Sequence, residues 1–214
     1  MQNLYGIILS YVYIGILFVI SNFIGKNNKE ISRKFIHISL AGYWIIAMFF
    51  FNNVICASIV PASFVLINTL SYKFNLIKSM EREEQDGFGT IYYAIAILVL
   101  SIVTFGIINK PIVGLVGMLV MCFGDGFAAI FGKKFGKKKY EIGNTTKSYL
   151  GSFTMLIITF GIVYAVFSFY GTAYTIAKAI LVAVIATILE AVSIKGTDNI
   201  TVPLLTSSLV FLLM

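Results

Sequence analysis

The constraint that decides most about this chain is the near absence of any interruption between its apolar runs. Eight stretches qualify, at Leu4–Ile24, Ser32–Phe51, Val54–Leu70, Thr90–Ile108, Ile112–Phe131, Tyr149–Phe169, Tyr174–Ile194 and Ile200–Met214. A helix that crosses a bilayer needs about 20 apolar residues, and most of these runs reach that length. The strands of a membrane barrel would alternate apolar and polar residues, and no such alternation appears. With 59% hydrophobic and only 12% charged residues, the 214-residue chain has too little polar surface to dissolve as a globule; ordinary domains carry about 25% charged residues. The expected fold is all-α, a polytopic helical bundle of about seven or eight spans, read as a single membrane domain over residues 1–214. The last run holds 15 residues, about 22 Å of helix against a hydrocarbon core of about 30 Å, so it starts earlier or falls short.

Charge then orients the bundle. Fourteen of the 16 basic residues fall on alternate loops or span ends of one side; only Lys110 and Lys178 fall on the other. Basic loops stay in the cytoplasm, which puts the N-terminus outside. The same side collects all nine acids. The positive-inside tendency explains the lysines but not the acids, and a side that gathers both signs is expected to be a working surface. One histidine and two cysteines, Cys56 and Cys122 within apolar runs, exclude a zinc or iron–sulfur centre and a disulfide framework. Met1-Gln2-Asn3 lacks the basic head of a signal peptide, so the first span is expected to stay.

Four segments converge on the charged side. Arg33, Lys34 and His37 stand at the mouth of the second span, with Arg33 and His37 four apart on one helical face; they suit a phosphate, or they are snorkelling cations beside a hydrogen-bonded histidine. A loop with four acids between Glu81 and Asp86 leads into Gly87-Phe88-Gly89-Thr90, a turn and hydroxyl cap directly before a span. In the third segment Gly124, Ala128, Gly132 and Gly136 repeat every four residues, a flat ridge on which another helix can pack. Asp125, beside that ridge, lies within a span, where an ionisable group costs about 2.5–3.5 kcal/mol. A lysine cluster including Lys137 follows, then Thr146-Lys147-Ser148 and Gly151-Ser152, one lysine among hydroxyls at a helix start, where anions are favoured. The Walker A spacing is absent. The fourth segment carries Glu190 inside the seventh span and Asp198-Asn199 after it. Carboxylates with phosphates are what magnesium prefers, and the combination points to nucleotide-dependent chemistry on a lipid headgroup.

Arg33-Lys34-x-x-His37, Gly89-Thr90-x-Tyr92, Gly124-Asp125 with Ala128, Gly132 and Gly136, Lys147-Ser148-x-x-Gly151-Ser152, and Glu190 followed by Asp198-Asn199 and Pro203 resemble, in order, the membrane CTP-dependent lipid kinases: dolichol, phytol and CTP-using diacylglycerol kinases. Ser148 stands where threonine is common. The resemblance implies phosphoryl transfer from CTP to a lipid alcohol from the bilayer, at the cytoplasmic face of the cell membrane, with Mg2+ as cofactor. It implies Asp125 and Asp198 on the metal or one of them as base, and Glu190 as the other acid. Arg33, Lys34, His37, Thr90, Gly124, Gly132, Gly136, Lys137, Thr146, Lys147, Ser148, Gly151, Ser152 and Asn199 are the expected nucleotide or phosphate contacts. No nucleic acid is expected as a partner, and a homodimer is left open. The alternatives are a phosphatidate cytidylyltransferase, whose terminal signature is absent, and a small-molecule transporter, which would need polar groups in both leaflets. A carboxylate kept for magnesium is expected to stand among acids without a cation of its own, so that Asp125→Asn would leave stability unchanged or raised.

Overall fold

The computed structural model describes residues 1–26, 28–74, 88–142 and 145–214. The acidic run expected between Glu81 and Asp86 therefore lies outside the described residues. Among the described residues the fold is an all-α polytopic bundle with one small hairpin. Its elements are α1 (Gln2–Gly25), α2 (Lys29–Ser39), α3 (Ala41–Phe50), α4 (Val54–Phe74), α5 (Gly89–Ile102), α6 (Pro111–Leu119), α7 (Gly126–Phe135), β1 (Lys139–Ile142), β2 (Thr145–Ser148), α8 (Tyr149–Phe169), α9 (Thr175–Val192) and α10 (Asp198–Leu213). Wider π-helical turns extend α5 through Val103–Ile107 and join α6 to α7 through Val120–Asp125. The backbone bonds itself within each helix, as a segment in hydrocarbon must.

Six rods are long and apolar enough to cross a membrane: α1, α4, α5 with its π turn, the joined α6–α7 rod, α8 and α9. The run read as one second span is two helices that meet at Leu40. Two carbonyls beside that break take tyrosine hydroxyls instead, Tyr93 Oη donating to His37 O at 3.1 Å and Tyr13 Oη to Ser39 O at 2.6 Å. The final helix α10 begins at Asp198, two residues earlier than its apolar run, and spans 16 residues.

The rods alternate in direction. Contacts at one end show this: Gln2 Nε2 donates to Phe49 O at 2.8 Å, and Lys178 Nζ to Leu213 O at 2.8 Å. At the other end Asn199 Nδ2 donates to Gly89 O at 3.0 Å. Both chain ends thus share the end that holds Lys110 and Lys178, and the charged loops share the opposite one.

Small residues set the helix spacing. Trp44 is fully buried over Gly114, and its Nε1 donates to Pro111 O at 3.0 Å. A methyl group at Gly117 would stand 2.5 Å from the Pro203 carbonyl and would also meet Ser207, so α6 and α10 touch backbone to backbone. At Gly132 the added carbon would meet Ser148 Oγ at 2.6 Å and Gly151 Cα at 3.3 Å; the ridge read from the sequence is where α7 lies against the start of α8. Ser148 caps α8, accepting from Gly151 N at 3.0 Å, which is the local reason a hydroxyl residue stands there.

Two outcomes follow from this packing and polarity. Gly117→Ala is expected to lower stability in detergent by about 1–3 kcal/mol through overpacking, while Gly161→Ala, which meets nothing within 4 Å, leaves the melting temperature unchanged or raised. With Cys56 and Cys122 replaced, a membrane-impermeant thiol reagent added outside should label Lys110→Cys and spare Lys138→Cys; the opposite pattern would invert the orientation taken from charge.

Candidate active site

The site is assembled from six elements at the charged end. On α2, Lys34 and His37 are three apart and share the face turned to the α6–α7 rod. Lys34 Nζ lies 2.7 Å from Asp125 Oδ2, and His37 Nε2 lies 3.1 Å from the same oxygen. The same His37 nitrogen is 3.1 Å from Met121 O. Both neighbours are acceptors, so Nε2 must carry the proton. Met121 belongs to the π-helical turn that ends on Asp125; such widened turns occur often at functional sites. Here the turn sets Asp125 inward, ten positions before the end of α7, about 15 Å of helix at 1.5 Å per residue. Tyr93 from α5 closes the back of this group, its ring 4.8 Å from that of His37 and its hydroxyl 2.9 Å from Cys122 Sγ.

The second half comes from the hairpin and the α9–α10 turn. Lys147 lies on β2 opposite Tyr140 of β1. Its ammonium donates to Glu190 Oε1 at 2.6 Å and also to the Glu190 carbonyl. After Val192 the chain reverses through Lys195 and Gly196, both at positive φ (50° and 79°). Gly196 is needed there for a second reason: a side-chain carbon would stand 2.8 Å from Gly89 Cα. The reversal returns Asp198 toward Glu190, with Asn199 N donating to Asp198 Oδ1 at 3.0 Å.

Asp125, Glu190 and Asp198 thereby offer carboxylate oxygens that all lie within 4.8 Å of one another. Asp125 and Glu190 are buried and Asp198 is half-buried. At that spacing each pair of negative charges repels by at least about 3 kcal/mol, for an effective dielectric of about 20. Two lysines offset this in the described structure. A divalent cation could do so as well, since hard carboxylate oxygens from three separate segments suit magnesium.

Several expected residues therefore meet, and others stand apart. Lys34, His37, Asp125, Lys147, Glu190 and Asp198 form one cluster, with Asn199 beside it. Arg33 turns to Glu30 instead, with Nη2 2.8 Å from Oε1; the face of α2 turned to Asp125 is that of Lys34 and His37, not of Arg33 and His37. Lys137 and Thr146 are exposed, Ser152 Oγ is 2.5 Å from Tyr140 Oη, and the Thr90 carbonyl accepts from Asn68 Nδ2 at 3.1 Å. Gly124 lies under Met155, and Gly132, Gly136, Ser148 and Gly151 lie at the α7–α8 contact. The expectation that Asp125 lacks its own cation is corrected by Lys34 and His37. A buried carboxylate cannot wait unpaired for a metal at this depth, so the fold supplies a counter-charge. Tyr93 went unnoticed in the sequence, where it reads as one more aromatic beside Tyr92. Its only signal was its position seven residues before Leu100, on the buried stripe of α5.

No family model and no solved structure matches the chain. It is, however, 30% identical over 201 residues to a phytol kinase of Synechocystis, covering 92% of this chain and 86% of that protein. It is also 32% identical to a probable chloroplastic phytol kinase of Triticum aestivum, over 86% of this chain and 68% of the relative. Phytol kinase 1 of Arabidopsis thaliana is 32% identical over 83% of this chain and 64% of its own length. The chain belongs to the phytol kinase family. The cytidylyltransferase and transporter alternatives gain nothing from these relatives.

The ion pairs make a stability prediction opposite to the one drawn from sequence. Asp125→Asn should lower the melting temperature, because it leaves the buried Lys34 ammonium unpartnered, a loss of about 3–5 kcal/mol for a broken buried pair. Combining Asp125→Asn with Lys34→Met should restore part of it, giving a coupling energy of about 0.5–3 kcal/mol in a double-mutant cycle. Additive losses would mean that the two side chains do not meet.

Proposed function

We propose that this protein is a lipid-alcohol kinase that moves the γ-phosphoryl group of CTP to the hydroxyl of a phytol-like isoprenoid alcohol. The site faces the cytoplasm and the acceptor enters from the bilayer. The observation that carries this is the buried cluster of Asp125, Glu190 and Asp198 with Lys34 and Lys147, at the charged end of a membrane bundle whose relatives are phytol kinases. CTP as donor rests on the family resemblance of the sequence motifs.

The donor set fits magnesium by its chemistry: three carboxylates within reach of one another, and no softer ligand among them. We place Asp125 and Asp198 on the ion, with Glu190 completing the set. When bound, magnesium neutralises charge on the transferring phosphates. The chain's own residues do the rest. Lys34 and Lys147 are within reach of the same space and supply positive charge to the phosphates. His37 fixes the carboxylate of Asp125 through one oxygen and is itself held by the Met121 carbonyl. The acceptor oxygen bonds to the γ-phosphorus as its bond to the bridging oxygen breaks, CDP departs, and a carboxylate of the cluster takes the hydroxyl proton. Catalysis of this kind is positioning and charge neutralisation more than covalent chemistry.

The test is product analysis with the purified protein in lipid nanodiscs, phytol, CTP and magnesium. Phytyl phosphate and CDP in equal amounts are expected, with ATP a poorer donor. Release of pyrophosphate with a CMP-linked lipid would instead mean cytidylyl transfer. Asp125→Asn, Glu190→Gln and Asp198→Asn should each lower turnover by about two orders of magnitude or more, as loss of a main electrostatic group does, and Lys147→Ala should raise the KM for CTP.

A further inference from the structure

The two lysines at the cluster stand where a cation would stand. Lys34 Nζ is on Asp125 Oδ2 at 2.7 Å, and Lys147 Nζ is on Glu190 Oε1 at 2.6 Å. A divalent metal ion bound at the cluster would take its ligand oxygens from these same three carboxylates. Two ammonium groups and a divalent ion held together among three carboxylates would repel one another. As a divalent ion takes up the charge of the carboxylates, their hold on each ammonium falls and the lysines are driven away from them. Leaving is mechanically simple for them: each is a point charge on a flexible four-carbon stem, unlike the planar fork of an arginine.

Where they go decides the energetics. Lys34 is only 5% exposed and Lys147 is half-buried. Among the described residues no other carboxylate is paired with either ammonium. A metal arriving alone would strand two cations in the bundle, and a nucleotide arriving alone would bring its phosphates against three carboxylates. Only the two together satisfy every charge, the metal on the carboxylates and the phosphates on the lysines.

From this geometry we infer that Lys34 and Lys147 are resident counter-ions, exchanged from carboxylate to phosphate when metal and nucleotide bind, so that neither ligand binds well without the other. The inference rests on the proposed magnesium site and adds a coupling to it. Such coupling is reciprocal and typically about 5–150-fold. His37 stays behind on Asp125 and Met121 O, holding the carboxylate in place while its ammonium partner moves.

The test uses Mn2+ as the metal and a non-hydrolysable CTP analogue, with binding read by water-proton relaxation enhancement on the full-length protein in detergent. The wild type should bind Mn2+ weakly alone and about tenfold or more tightly with the analogue. Lys34→Met and Lys147→Met should bind Mn2+ without nucleotide more tightly than the wild type, again by about tenfold, because the carboxylates have lost their internal cation. Lys34→Met leaves Asp125 uncompensated and its folding is at risk, so Lys147→Met and the Mn2+-induced rise in melting temperature serve as the second readout; that rise should be larger in the variants. If the wild type binds Mn2+ equally with and without the analogue, and neither variant binds it more tightly, the counter-ion role is overturned while the metal site stands. If no form binds Mn2+ even with the analogue, the magnesium site itself falls.

Discussion

Three carboxylates close together in a low-dielectric bundle repel, and everything notable about this structure is arranged around that repulsion. Asp125, Glu190 and Asp198 come from different segments of the chain and converge within 4.8 Å. They tolerate this because Lys34 and Lys147 arrive from two further segments, each with its ammonium directly on a carboxylate oxygen. The helix directions, the hairpin between α7 and α8, and the tight reversal at Gly196 all serve that convergence. Had α9 and α10 been joined by a longer loop, nothing would hold Asp198 beside Glu190.

Local backbone departures occur where the cluster needs them. The π-helical turn at Val120–Asp125 sets the acid inward and leaves the Met121 carbonyl to receive His37. The break at Leu40 lets the carbonyls of His37 and Ser39 accept from Tyr93 and Tyr13, which ties α2 to α5 and α1. The rest of the bundle is rigid by close packing, with glycines at Gly114, Gly117 and Gly132 admitting Trp44, α10 and α8. A close-packed scaffold under a charged cluster is the division of labour that phosphoryl transfer asks for.

The all-α membrane class was legible in the sequence because hydrocarbon leaves a chain with runs this apolar few alternatives. Asp125 and Glu190 were legible for a related reason: an acid inside an apolar run is costly and stands out against it. Their partners were not. Lys34 lies 91 residues from Asp125, and Lys147 lies 43 from Glu190, so the pairing depends on how the rods pack and leaves no trace in local spacing. Periodicity favoured Arg33 with His37, four apart; the fold turned Lys34 to the site and sent Arg33 to Glu30. The short hairpin at Lys139–Ser148 was hidden among lysines and polar residues that read as a loop. The kink at Leu40 and the π turn carry no proline to announce them.

On the counter-ion proposal, lysine ammonium and metal ion occupy the same set of carboxylates in turn. Crystals or frozen grids of the protein with Mn2+ and a non-hydrolysable CTP analogue test it most directly. One metal peak within coordination distance of oxygens of Asp125 and Asp198 is expected, with Glu190 in the same set and the ammonium groups of Lys34 and Lys147 moved onto phosphate oxygens. A metal bound elsewhere, with both lysines still on their carboxylates and the nucleotide seated apart from them, would contradict it.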